Sequence, residues 1–181
     1  MNPARLFYRT HQLWKALAVQ PADKDLDRVG NWLSPSQQAL FFRLQPSEQA
    51  HSLDLLRRLI AQGESHPDLL AAALLHDVGK IQYPLQLWER VWVVLAHTLM
   101  PGWVKKWGSQ PIQAGQPFPA WRKALMVAEQ HPRQGAELAA QAGSTSMVVA
   151  LILRHHETRT NQAQGLEDLL LRKLQVVDNE T

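Results

Sequence analysis

Apolar residues recur through most of the chain at three- and four-residue intervals, the spacing of helices with one buried face, and the pattern predicts an all-α fold. Leu6, Phe7, Leu13, Trp14 and Leu17 mark a helix over Ala4 to Val19, broken at Pro21. A second helical pattern runs from about Asp25 to Trp32. Ser34 followed by Pro35 reads as a cap with proline at the first helical position, opening a helix that continues through Leu44. Pro46 and Ser47 start the next helix. His51, Leu55 and Arg58 share one side of it, Leu53, Leu56, Leu59 and Ile60 cover the neighbouring side, and Gly63 ends it.

The run Leu69 to Leu75 is apolar throughout and finishes in His76, Asp77, Val78, Gly79 and Lys80. Asp68 after Pro67 can cap a short buried helix and Gly79 can close it, which puts His76 and Asp77 on its last turn. From Ile81 to Gln130 the chain holds Trp88, Trp92, Trp103, Trp107 and Trp121, five of its seven tryptophans. Leu87 to Met100 is apolar enough for a buried or interfacial helix but too short to span a bilayer. A proline-rich turn spans Pro111 to Pro119. Trp121 to Gln130 reads as helix and Pro132 restarts one that reaches Gly143, leaving His131 at a junction. Met147 to Arg154 is short and strongly apolar. The final helix starts near Gly165 and turns Leu166, Leu170, Leu171 and Leu174 inward, with Asp178 one turn further on.

A chain of 181 residues has length enough for one domain with a sizeable core. The expected organisation is N-terminal helices over residues 1–45 packed on a domain of residues 46–181, with a tryptophan-rich insertion at about 81–120. That insertion is a core element, a lid, a homodimer face or a membrane-surface contact. The absence of cysteine excludes disulfides and thiolate metal sites, so histidine and carboxylate are the strong ligands left. A net charge of +3, scattered along the chain, is no footprint for duplex nucleic acid. The first residues lack the charged-then-apolar order of a signal peptide, and a cytoplasmic location is expected.

Burying His76 beside Asp77 costs several kcal/mol unless something pairs them. A hydrogen bond between imidazole and carboxylate would do, and so would a metal ion. The other histidines bear on the choice. His51, His131, His155 and His156 each stand in or at the edge of an apolar helical segment, and Asp178 ends another. His11, His66 and His97 receive no ligand role.

This order of His, His-Asp, His, His-His and Asp resembles the HD-domain superfamily of metal-dependent phosphohydrolases. His131-Pro132 with Gly135-Ala136, followed by His155-His156-Glu157, resembles its HD-GYP branch. Thr158 to Gln162 contains no Gly-Tyr-Pro, so a preference for cyclic di-GMP does not carry over. Ser47 and Glu48 stand where some members carry a glutamate for a third ion, one place out of register. The resemblance implies a helical bundle with a binuclear site in its core. Asp77 would bridge two divalent transition-metal ions, iron or manganese first and zinc or nickel as further options. His51, His76 and Asp178 would complete one ion, and His131, His155 and His156 the other. A metal-bridging hydroxide would attack a phosphoester, a nucleotide or a linear or cyclic dinucleotide, with Lys80 on a phosphoryl oxygen. Related mixed-valent di-iron oxygenases carry a single histidine at the fourth step, which makes oxygenase the alternative reading. A regulatory module with a structural metal is the third.

Overall fold

The computed structural model describes residues 21, 23–110, 118–157 and 165–180. Every regular element among them is helical and no strand occurs, as the spacing predicts. The helix expected over Ala4 to Val19, with His11, lies outside the described residues, as does most of the turn from Pro111 to Pro119. In chain order come α1 (Asp23–Leu26), a 3-10 turn (Val29–Asn31), α2 (Pro35–Phe41), α3 (Pro46–Ala61), α4 (Pro67–Leu75) and a second 3-10 turn (Val78–Gln82). They are followed by α5 (Leu87–Leu99), α6 (Pro101–Gly108), α7 (Ala120–Gln141), α8 (Ser146–Arg154) and α9 (Leu166–Glu180).

Local chemistry accounts for most boundaries. The Ser34 hydroxyl accepts from the Gln37 N–H while the Gln37 side chain accepts from the Ser34 N–H, and Pro35 fills the first turn of α2. α3 and α7 end on left-handed glycines, Gly63 at φ 83° and Gly143 at φ 78°. There the N–H groups of Glu64 and Ser144 turn back to the carbonyls of Leu59 and Ala139. The pattern over Asp25 to Trp32 yields only α1 and a 3-10 turn, because Gly30 and Asn31 are poor helix formers.

α4 is the centre of the fold. Each residue from Leu69 to Leu75 is buried, as expected for a helix apolar on every side, and α2, α3, α8 and α9 pack around it. Each fully buried leucine contributes about 2 kcal/mol. α7 packs on the second 3-10 turn, on α8 and on the α5–α6 pair. Between α5, α6 and α7 the insertion builds a smaller apolar cluster of Ala96, Val104 and Leu125 with Trp92, Trp107 and Trp121 against it. No helix among the described residues is long and apolar enough to cross a membrane.

Several elements differ from expectation: α2 stops at Phe41, short of Leu44, and Asp68 lies inside α4, whose N-cap is His66 with no side-chain cap bond. α4 ends at Leu75, not at Gly79, and Gly79 sits within the following 3-10 turn at negative φ. Closeness explains the glycine: a Cβ there would lie 2.0 Å from the His131 carbonyl oxygen and 2.7 Å from the Gly135 nitrogen. His131 stands inside an unbroken α7, since Pro132 forfeits one backbone hydrogen bond without ending the helix. Leu166 opens α9 and is exposed while Leu170, Leu171 and Leu174 are buried, because the helix meets the core only after its first turn. Ile60, in the last turn of α3, is exposed although Leu53, Leu56 and Leu59 are buried.

Candidate metal centre

Three buried imidazoles are aimed by the same device, a backbone carbonyl that lacks a helical partner. His76 follows the last residue of α4 and His155 the last of α8, where the final carbonyls of a helix have no N–H to accept. Nδ1 of His76 lies 3.0 Å from the Ala73 oxygen, and Nδ1 of His155 lies 2.7 Å from the Ile152 oxygen. His131 is in mid-helix, but Pro132 has no N–H to give the Ala128 carbonyl. Nδ1 of His131 takes that acceptor at 2.9 Å and the Val127 oxygen at 3.1 Å. A carbonyl only accepts, so Nδ1 carries the proton in all three rings and Nε2 presents its lone pair.

Pro132→Ala should separate helix stability from this aiming. The variant regains an N–H for Ala128 and should gain roughly 1 kcal/mol, because the cost of an interior proline exceeds that of the lost ring packing. Competition for the carbonyl should at the same time weaken divalent-metal binding about tenfold, as for other groups that orient a ligand. Thermal unfolding and metal titration of the same protein check both signs.

The lone pairs converge. His51, His76 and Asp178 offer ligand atoms all within 4.8 Å of one another, and so do His131, His155 and His156. Asp77 lies between the two groups, with Oδ2 3.5 Å from His76 Nε2 and Oδ1 3.3 Å from His131 Nε2. Nε2 of His131 also faces Nε2 of His155 at 3.3 Å. With the protons on Nδ1 these are acceptors opposed to acceptors, which repel unless a cation stands among them. The donor set, neutral imidazole with carboxylate, suits a divalent transition metal. The structure thus brings together all seven residues singled out from the sequence, in the grouping stated there.

Burial pushes the Asp77 carboxyl up, yet Lys80 beside it holds it well below the usual carboxylate range, and His76 and His131 add to this only when their Nε2 atoms carry a proton in place of a metal ion. Asp178 is likewise lowered against burial, by the hydrogen bond from His51 at 3.0 Å and by His76. His51 is raised despite burial because Asp178 and Asp77 face it. Burial and the neighbouring imidazoles drive His155 well down; His156 is more exposed, and partial desolvation in the cavity with His131 beside it pushes it down to about 4. Both are free bases at neutral pH.

Unfolded imidazoles titrate near 6.5 and the folded His156 near 4, so between these values the unfolded chain binds more protons. Metal-free protein should lose thermal stability as pH falls from about 6.5 toward about 4. His156→Ala should flatten part of that slope, and a profile identical to the wild type would contradict a neutral imidazole at this position.

Lys80 does reach the site, where its Nζ donates to Asp77 Oδ2 at 2.6 Å and lies 3.4 Å from Glu48 Oε2. Burial would lower its pKa, but Asp77 and Glu48 raise it, so it stays charged. Glu48 is buried and accepts from Arg90 Nη1 at 2.8 Å on its other oxygen. Arg90 thus links α5 to Lys80 and was not singled out from the sequence. Its signal was that Glu89 and Arg90 are the only formally charged residues within the apolar run of α5. Gln175 was also missed. Buried on α9, its amide reaches the carbonyls of His155 at 3.1 Å and Glu157 at 3.0 Å and pins the turn that carries both imidazoles.

The centre opens into a cavity of about 1080 Å³. Its far wall is Leu85, Arg90, Val93, Val94, His97 and Thr98, so the insertion supplies the wall without any of its tryptophans. His97 is exposed, 3.6 Å from Glu129, and belongs to neither ligand group. Comparison with protein-family models, curated proteins and solved structures finds no match to this chain.

Proposed function

We propose that the chain is an HD-type metal-dependent phosphohydrolase that cleaves a phosphoester, a nucleotide or a linear or cyclic dinucleotide, at the centre around Asp77. The observation that carries the reading is the pair of ligand groups sharing one buried carboxylate, with imidazole lone pairs directed at one another and at its oxygens. His51, His76 and Asp178 would hold one divalent ion and His131, His155 and His156 a second, with Asp77 common to both. Such ions would supply a water acidic enough to attack phosphorus at neutral pH and would neutralise charge as it develops.

The chain's own groups supply the rest. Lys80 keeps its charge and is placed to bind a phosphoryl oxygen, with Glu48 behind it and Arg90 fixing Glu48 in turn. Val93 and Val94 give the opposite wall an apolar surface for the organic part of the substrate. The cavity volume lies near the upper end of small-molecule sites, which supports a ligand of nucleotide size or larger.

An oxygenase would need the place of His156 open to dioxygen or substrate. The His156 ring instead lies 4.7 Å from that of His131 and 4.3 Å from that of His155, which favours hydrolysis. The deciding experiment is metal analysis of anaerobically purified protein, followed by turnover of phosphomonoesters and of linear and cyclic dinucleotides with and without dioxygen. Two equivalents of metal and oxygen-independent hydrolysis are expected. Protein that binds no divalent metal, or oxygen-dependent turnover that survives His156→Ala, overturns the reading.

A further inference from the structure

α5 has two faces with different business. One lines the cavity through Arg90, Val93 and Val94. Away from it, Trp88 and Leu99 are each 53% exposed, and Trp103 on α6 is exposed as well. Trp88 and Leu99, eleven positions apart, fall within about 20° of one another around a helix. The exposed indole of Trp103 continues inward as a chain of rings, with centroids 6.4 Å to Trp107, 6.3 Å on to Trp121 and 6.4 Å on to Trp92. Trp92 lies one helical turn from Trp88. Exposed and half-buried tryptophans thus form one connected band across α5, α6 and the start of α7.

Charge on this band has a single sign. Residues 85–110 and 118–130 hold two carboxylates: Glu129, which lines the cavity 3.6 Å from His97, and Glu89. The latter is buried, accepting from the Gln86 N–H and the Tyr83 hydroxyl, and gives the surface nothing. Lys105 and Lys106 are exposed at the end of α6. Lys106 lies 5.7 Å from the Trp107 ring, and the Arg122 guanidinium lies 4.7 Å from the same ring.

We infer that the α5–α6 face, with Trp88, Leu99 and Trp103 at its surface and Lys105 and Lys106 at its edge, docks on an anionic lipid bilayer. Indoles prefer the level of the headgroups, with the ring in the apolar boundary and the N–H in the wet layer. Lysines there bury their stems and hold their ammonium groups among lipid phosphates. Neither helix is long enough to span, so the contact lies on the surface. Single-stranded nucleic acid also takes aromatic and basic surfaces, but the exposed Leu99 offers a base nothing to stack on and buries well among acyl chains. Docking in this way would set the cavity wall formed by α5 beside the membrane.

The test is co-sedimentation of the full chain with phosphatidylcholine vesicles, with and without about a third phosphatidylglycerol. Binding should require phosphatidylglycerol, weaken as salt rises, and bring quenching of tryptophan fluorescence by brominated acyl chains. Trp88→Ser with Trp103→Ser, and separately Lys105→Glu with Lys106→Glu, should each weaken binding about tenfold or more. These side chains are exposed, so helix content by circular dichroism should stay as in the wild type. Equal binding to both vesicle types, or binding untouched by either pair of substitutions, overturns the inference. So does a concentration-dependent dimer that the Trp88 and Trp103 substitutions dissolve, or binding of a single-stranded oligonucleotide without vesicle binding. Metal content and hydrolysis of a soluble phosphoester should be the same in all these variants, so failure here leaves the proposed activity untouched.

Discussion

Gly79→Ala should be among the most damaging single substitutions in the chain, although it adds one methyl group. The new Cβ would stand 2.0 Å from the His131 carbonyl oxygen, 2.8 Å from the carbon of that carbonyl and 2.7 Å from the Gly135 nitrogen. All three are backbone atoms of α7, so no side chain can rotate out of the way. Either the 3-10 turn lifts off α7 or α7 bends, and both movements disturb tight packing. The cost should reach about 3 kcal/mol or more, at the upper end of overpacking effects, and lower the unfolding midpoint by roughly 6–12 °C. The same movement shifts Asp77, two residues earlier, against His131. Metal binding should therefore weaken even at temperatures where the variant is folded. A fully stable variant with wild-type metal affinity would show that the turn and α7 do not touch as described.

Much of the site was legible because a polar group at the end of an apolar run has few ways to be buried. His76-Asp77, His155-His156 and Asp178 all stand at such ends, and His51 shares a face of α3 with Leu55. The division into two ligand groups came from the resemblance, and the structure brings together the same two sets. His131 was found while its setting was misread, because proline reads locally as a helix break and the reward for keeping it, a free Ala128 carbonyl for the imidazole, exists only in three dimensions. Gly79 was misassigned for the same kind of reason: a glycine after an apolar run looks like a cap, and its contact with α7 lies more than fifty residues away. Gln175 was invisible, and Arg90 showed only as a charge inside an apolar run, since each acts on a group remote in sequence. In the insertion, periodicity showed helices but not which tryptophans stay outside.

Replacing Asp77 tests the centre most directly, and two variants separate its charge from its shape. In Asp77→Ala the carboxylate common to both groups is gone, and the imidazoles alone cannot hold two cations close together without an anion between them. Metal content should fall by at least one equivalent, and phosphoester turnover by at least about a hundredfold, the upper range for lost ligand support. Metal-free protein should also lose about 3 kcal/mol, because Lys80 surrenders the partner 2.6 Å away and keeps only Glu48 at 3.4 Å. Asp77→Asn keeps the shape and replaces one acceptor oxygen by a donor. Its amide N–H can satisfy the lone pair of His131 or His76, 3.3 and 3.5 Å from the native oxygens. That variant should stay nearer the wild type in metal-free stability than Asp77→Ala while losing metal and turnover just as fully. Elemental analysis beside thermal unfolding reads both quantities from one preparation. An asparagine variant that retains two equivalents of metal and full activity would end the bridging role, whereas loss of metal in a well-folded protein would tie the activity to the charge of this one carboxylate.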